Sequence, residues 1–358
     1  SINSSCEKVI CRNAKLLNED EKYLNGVAKE AYLNAKTENG VDAEKLIHLP
    51  VPIKSRAVMH MLRENGVQND VFQPHIEALM KLLEMQSGAK IEMSTVIIRK
   101  SFGRLLVDAV KEQGIDTTGV RYDDNVHTTL AFVQTAADGD RDFSFYRNPG
   151  ADMMLTADEV DLSLVRNAKI FHFGSLSMTD KTCEKATKHA IAAAKEAGAL
   201  ISFDPNLRKP LWKSMDDAKE KISWGLSQCD ILKISDDEIE FMTGEKDIKT
   251  GVKKLIDEYH IPFICATMGK NGSMAFFDGH IVEAAPFLRD DTVETTGAGD
   301  TFCACLLHDV LEHGINDRKD DDVKKMLTFA NAAASLITTR KGALRVMPEK
   351  GEVEAVIK

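Results

Sequence analysis

A chain of 358 residues is long for one average domain and suits two. Apolar residues make up 43% and charged residues 28%, which excludes a disordered or membrane-embedded chain. With 46 basic against 56 acidic side chains the net charge is −10, which argues against electrostatic capture of nucleic acid or of an anionic membrane and turns attention to small-molecule chemistry.

The seven cysteines are scattered, with no CxxC pair, so neither a disulfide framework nor a zinc site is expected. No apolar run approaches the roughly 18 residues of a membrane helix, and the polar start Ser1 to Ser5 does not read as a secretory signal. A cytoplasmic location is expected. The chain opens on Ser rather than Met, so its numbering is expected to begin inside a longer reading frame.

The first 100 residues carry 14 basic and 13 acidic side chains, so the acidity belongs to the remainder. This first part reads as about four helices, with turns near Gly26, Gly40, Gly66 and Gly88. Ile53, Ala57, Met61 and Leu62 form one apolar stripe behind the start signal Leu49-Pro50-Val51-Pro52, and Ile76, Leu79, Met80 and Leu83 form another. Met59, Met61, Met80 and Met85 read as helix core rather than a cofactor box.

From about residue 102 the rhythm changes. Segments 169–174, 199–203, 230–234 and 262–266 read as buried strands, separated by helical patterns over 179–197, 215–227, 248–259 and 299–313. Such alternation predicts an α/β fold with a mainly parallel sheet covered by helices, preceded by a small all-α domain. Ligands then gather at the carboxyl ends of the strands. His172, inside an apolar strand, reads as a satisfied core histidine.

The segment that carries chemistry runs from Val293 to Phe302, with Thr296-Gly297-Ala298-Gly299-Asp300 opening an apolar helical run. Small residues permit a tight turn, and the N–H groups at a helix start point at whatever occupies its mouth, so an anion is expected there. Asp300, just inside, is suited to take a proton from an attacking hydroxyl while the amides stabilise charge on a transferred group. The pattern suggests phosphoryl transfer to an alcohol. Its bland alternative is a helix start with a packing glycine and a dipole-complementing carboxylate.

From about residue 101 to 358 the chain resembles the ribokinase-like, phosphofructokinase-B type carbohydrate kinases, whose mark is a DTxGAGD stretch that stands here as Glu294 to Asp300. Phe203-Asp204-Pro205-Asn206-Leu207-Arg208 and Phe145-Tyr146-Arg147-Asn148-Pro149-Gly150 are most similar to the fructokinase branch. The resemblance implies an ATP-dependent fructokinase with Asp300 as base and Gly297, Ala298 and Gly299 as the anion hole. It assigns Thr267, Gly269, Gly272, Lys233, Ser235 and Asn331 to the nucleotide, with Asn331 on the adenine side. Arg147, Asp204, Asn206 and Arg208 are implied near the sugar or the transferring phosphate. Glu238 falls on the acidic position of an NxxE motif that organises Mg²⁺, with Ser235 in place of the Asn. A K⁺ site is implied at the backbone of Ile337, Arg340 and Gly342 with Glu294 and Thr296, although relatives carry Asp where Glu294 stands. Without that context the TxGxxG turn at 267–272, an acidic helix start at 235–238 and an Ala-rich helix at 329–334 are all ordinary structural features.

Family members begin with a strand, a Gly-Gly-Ala-x-x-Asn loop and lid strands over the sugar, whereas this chain has no Gly-Gly dipeptide and becomes kinase-like only at Ser101 to Asp108. Residues 7–105 instead resemble the helical domain of tRNA(Ile) lysidine synthetase, through Leu46 to Arg56 and His75 to Lys90. The expected organisation is therefore a chimera joined near 95–105, with a helical domain over 1–100 and a kinase domain over 101–358. Lys54, Arg56, Arg63 and Lys81 would supply weak tRNA contact, or merely form a solvated basic face. A homodimer stays open as an assembly. The rival reading is a nucleotide-binding but catalytically impaired kinase.

Overall fold

The computed structural model describes residues 4–37, 40–42, 44–64, 95–135 and 141–358. They fall into two compact units, one within residues 1–105 and 124–146 and the other within 106–123 and 147–358. Among the described residues no helix is long and apolar enough to cross a membrane.

In the first unit, helices α1 (Ser4–Ala35) and α3 (Val51–Glu64) pack together, with the single turn α2 (Glu44–Ile47) between them. Ile53, Ala57 and Met61 recur every four residues, and this spacing turns one buried stripe toward Ala28, Tyr32 and Ala35. Gly26, expected at a turn, lies inside α1, where the helix continues through it with open space around its Cα. Gly40 opens strand β2 (Gly40–Val41), which pairs antiparallel with β1 (Lys36–Thr37), so the chain does reverse beside it. An antiparallel pair, β3 (Leu130–Thr135) with β4 (Arg141–Tyr146), was not expected. Lys54 is only 4% exposed, because its position follows Ile53 into the helix interface, so it presents no surface contact. Arg56 is paired with Glu21. The Ile76 to Leu83 stripe, the His75 to Lys90 motif with Lys81, Met80 and Met85, and the turns at Gly66 and Gly88 lie outside the described residues, as do the side chains of Leu62 and Arg63. Helix α4 (Thr95–Glu112) runs across the expected junction.

The second unit is built on a six-stranded sheet in the order β10-β9-β8-β7-β6-β5. Strands β5 (Ile170–Gly174), β6 (Leu200–Asp204), β7 (Ile231–Ser235) and β8 (Phe263–Thr267) are parallel, and β9 (Ser273–Phe277) and β10 (His280–Ala284) close it as an antiparallel hairpin. Helices α5 (Leu162–Asn167), α6 (Lys181–Glu196), α7 (Met215–Leu226), α8 (Asp236–Thr243), α9 (Ile248–Tyr259), α10 (Ala298–His313), α11 (Asp320–Ile337) and α12 (Lys350–Ile357) accompany the strands.

Both faces of the sheet are covered, so its inner strands read as continuous apolar runs rather than alternating ones. Ile201, Phe203, Leu232, Ile234 and Ile264 pack on one face with Ile191, Ile222, Leu226 and Ile239. On the other, Ile231, Phe263, Cys265 and Phe277 meet Phe302, Leu306 and Val310 of α10 and Leu327 of α11. Among the described residues β5 bounds the sheet. His172 on that strand is consequently exposed, a correction to the expected core histidine, although its Nδ1 lies 3.0 Å from Ser202 Oγ.

Candidate active site

Parallel strands leave their carboxyl ends on one rim of the sheet, and the start of α10 meets the rim of β6 and β7. Gly297 precedes the helix at φ +80°, a left-handed conformation, and a Cβ there would stand 3.1 Å from Ile337 Cδ1. Both facts require glycine. Its carbonyl accepts from Thr301 N at 2.8 Å, starting the helical ladder and leaving the first-turn amides without intrahelical acceptors. Gly297 is buried, whereas Gly299 and Asp300 are exposed at the mouth.

Beneath that mouth lies a buried charged cluster. Lys233 on β7 places Nζ 3.1 Å from Asp204 Oδ2 and 3.3 Å from Oδ1, with the residues 7% and 5% exposed. Burial pushes the Asp204 carboxyl up to about 6; Lys233 pulls against this shift, and Glu238 and Asp300 add to it by repulsion. Burial works against the Lys233 charge, yet attraction to Asp204 and Glu238 carries its pKa above the ordinary value. Asn206, at φ +47°, donates its amide to Asp204 Oδ1 at 3.2 Å and so braces the carboxylate. Glu238, 6% exposed, accepts from Leu207 N at 2.7 Å and Ser235 N at 2.9 Å, while Ser235 Oγ accepts from Glu238 N. That reciprocal cap explains how Ser serves where the family motif has Asn.

Other expected residues have defined partners. Arg147 spends its guanidinium on Asp152, Thr179 Oγ1 and the Leu176 carbonyl, tying down the segment after β4. Arg208 is half-buried and, among the described residues, reaches the Leu207 carbonyl at 3.4 Å. In the loop after β8, Gly269 and Gly272 have φ of +51° and +88°, and Met268 N donates to the Gly272 carbonyl at 2.9 Å. Thr267 Oγ1 faces the Ile234 carbonyl at 3.5 Å. Asn331 donates Nδ2 to the carbonyls of Ala284 (3.3 Å) and Ala285 (3.0 Å), fastening α11 to the segment that leaves β10. Glu294 Oε1 accepts from Gly342 N at 2.7 Å, and Ile337 O accepts from Arg340 N. The Arg340 guanidinium turns away to Glu352 and the Val346 carbonyl. Glu294, Thr296, Ile337 and Gly342 thus border one loop pair, held by Val293 N and Glu294 N donating to Thr338 O. The partnership of Lys233 with Asp204 was missed from sequence. Its signal was a lysine inside the apolar run Ile231-Leu232-Lys233-Ile234, since a buried lysine demands a partner.

The family model of pfkB carbohydrate kinases matches residues 83–350. The chain belongs to the pfkB family of carbohydrate kinases. This kinase is 39% identical to fructokinase-1 of Zea mays over 72% of its own chain and 79% of the relative. Its structure is similar to that of the ATP-bound fructokinase of Xylella fastidiosa, with a TM-score of 0.65 and 29% identity over 71% of this chain and 81% of that one. It also resembles the Vibrio cholerae fructokinase solved with fructose, ADP and calcium, with a TM-score of 0.64 and 25% identity over 72% and 82%. The ribokinase-like α/β fold, with its mostly parallel sheet covered by helices, agrees with that expected from the strand and helix alternation.

Proposed function

We propose that this pfkB-family kinase transfers the γ-phosphoryl group of ATP to a hydroxyl of fructose. The observation that carries the reading is Asp300, an exposed carboxylate in the first turn of α10 beside the amides of the helix start. Asp300 takes the proton of the attacking sugar hydroxyl, and the amides from Gly297 to Asp300 hold the charge that builds on the phosphoryl oxygens. Such a reaction needs positioning and electrostatics more than covalent chemistry from the protein. Thr267, Gly269 and Gly272 border the nucleotide. Asn331, engaged by two carbonyls, supports the adenine side by fixing the loop after β10.

The donor set fits a magnesium ion carried mainly by phosphates and water. Among the described residues there is no cluster of three or more His, Cys, Asp or Glu, and Glu238 offers a buried carboxylate with lone pairs beyond its two amide bonds. When bound, Mg²⁺ neutralises the phosphates. Glu294, Thr296 and the carbonyls of Ile337, Arg340 and Gly342 are the proposed K⁺ surroundings, supported by the Glu294 to Gly342 bond that draws the two loops together. Asp204, Asn206 and Arg208 form the sugar-facing rim, while Arg147 shapes its neighbouring segment. A reducing, cytoplasmic setting is supported by the free thiols of Cys183, Cys229, Cys265, Cys303 and Cys305 among the described residues.

ADP release should be measured with ATP, Mg²⁺ and fructose, glucose or ribose. Fructose-dependent release above the other sugars is expected; release indifferent to sugar contradicts the reading. A second reading, nucleotide binding without turnover, draws on the exposure of His172 at the bounding strand, and ATP binding with no sugar-dependent release would favour it. For the amino-terminal helices, weak tRNA contact remains a proposal that now rests on fewer groups, because Lys54 is buried and Arg56 is paired. Salt-dependent tRNA retention tests it.

A further inference from the structure

Side chains along β5 alternate between the two faces of the sheet, so Phe173 joins the core with Ile191 and Ile222 while His172 lies on the face toward α10. His172 stands in register with Ser202 of β6, and Ser202 with Ile231 of β7, which packs against α10. Asp204 shares that face two residues further along β6. His172 therefore sits one strand across from it and two residues inward, about 5 Å and about 7 Å away in those directions. The next residue of β5 on this face is Gly174, in register with Asp204, and it has no side chain to cover the imidazole from the carboxyl rim.

The ring is also held in one orientation. Ser202 is fully buried, and among the described residues His172 Nδ1, at 3.0 Å, is the acceptor within reach of its hydroxyl. A hydroxyl proton given to Nδ1 leaves the ring proton on Nε2, which has no hydrogen-bond partner among the described residues. Although the residue is exposed, desolvation by the surrounding protein lowers its pKa below the ordinary imidazole value; Asp300 raises it and Lys233 lowers it further. At pH 7 the ring is neutral with one donor to offer, and the charged groups that act on it belong to the proposed transfer site.

We propose that His172 is a specificity-determining contact of the acceptor pocket, donating Nε2–H to a non-reacting hydroxyl of the bound sugar, with Ser202 as its positioning residue. The inference rests on the kinase reading above and names a substrate contact within it. Asp300 keeps the proton-transfer role, and His172 holds the sugar so that a different hydroxyl lies beside Asp300. A donor fixed by a buried hydroxyl is left unpaired by a sugar with no hydroxyl at that point, which is how such a contact discriminates.

The test compares wild type with His172→Ala, His172→Gln, Ser202→Ala and the double variant His172→Ala/Ser202→Ala, which removes both partners together and is expected to keep the fold. The substrates are fructose and analogues each lacking one non-reacting hydroxyl. His172→Ala should raise KM for fructose by about 10-fold or more while KM for ATP moves by less than about 3-fold. His172→Gln, which keeps an amide donor, should recover part of the loss. Ser202→Ala should raise KM for fructose by about 3-fold and add nothing further in the His172→Ala background. One analogue should lose about 10-fold or more in kcat/KM with wild type and pay no further penalty with His172→Ala. KM for fructose within about 2-fold of wild type in His172→Ala or the double variant, equal losses for fructose and ATP, or penalties that multiply for every analogue would overturn the proposal. Absence of turnover with every sugar contradicts the kinase reading, and calorimetry of fructose binding with ADP and Mg²⁺ then still decides the role of His172. A wild type that binds no sugar contradicts both.

Discussion

The raised pKa of Asp204 has a consequence for stability. Its carboxyl titrates at about 6 in the folded chain against an ordinary 3.8, so the folded state holds more protons than the unfolded state between those values. Stability contributed by this group therefore falls as pH rises from about 4 to about 6, and levels off above. Other carboxylates, such as Asp161 and Asp247, are held below their usual range by hydrogen bonds and act in the opposite sense, so the effect is read as a difference. Thermal midpoints of wild type minus Asp204→Asn should decline across that window; a difference that grows with pH contradicts the assignment. In Lys233→Met the ammonium no longer opposes burial, and the declining window should move to higher pH. The residues of the proposed anion hole could be picked out in the sequence because the glycine spacing and Asp300 lie in one contiguous stretch. The Asp204 pairing was not, because it joins two strands 29 positions apart in the chain.

Local elements carry two further predictions. Ser235 caps α8 through its Oγ, so Ser235→Ala should cost about 1 kcal/mol in denaturant unfolding, while Ser235→Asn, which retains a capping oxygen, should be near neutral. Equal losses in both would contradict the cap. Gly272 combines φ +88° with a position where a Cβ would fall 2.2 Å from the Ala284 carbonyl. Gly272→Ala should therefore destabilise by about 2 kcal/mol or more, again by denaturant unfolding, and weaken ATP binding by distorting the loop. Unchanged stability would show that the loop has room the geometry denies. The parallel strands and α6, α7, α9 and α10 could be read within about two residues, since sheets buried on both faces produce uninterrupted apolar runs between amphipathic helices. The β9–β10 hairpin escaped notice despite its Asp278-Gly279 turn, where both residues take positive φ. That dipeptide is a strong hairpin signal, but the strands around it are short and mixed in polarity. Gly26 misled for the reverse reason: a glycine on an exposed helix face costs only about 1 kcal/mol, which a 32-residue helix can absorb.

At the scale of the whole molecule, the proposed site lies on one face of the sheet. The face toward α10 is apolar at Ile231 and Phe263 and turns polar toward the rim, through Ser202, Lys233 and Asp204, until it meets the open start of α10. The opposite face is apolar throughout its core and serves as support. This gradient accounts for the site at the carboxyl ends of the strands, as expected for open α/β sheets. What sequence could not supply was the edge. His172 looked like core because its neighbours are apolar, and its exposure follows from β5 having a strand on one side only among the described residues. In the proposed reaction Asp300 takes the sugar proton. The most direct test is single-turnover phosphoryl transfer to fructose in Asp300→Asn, beside its ATP affinity by calorimetry. Transfer reduced by about 10² to 10⁴ with ATP affinity retained is the predicted result. Transfer within a few-fold of wild type, or an equal loss of ATP binding, would contradict it.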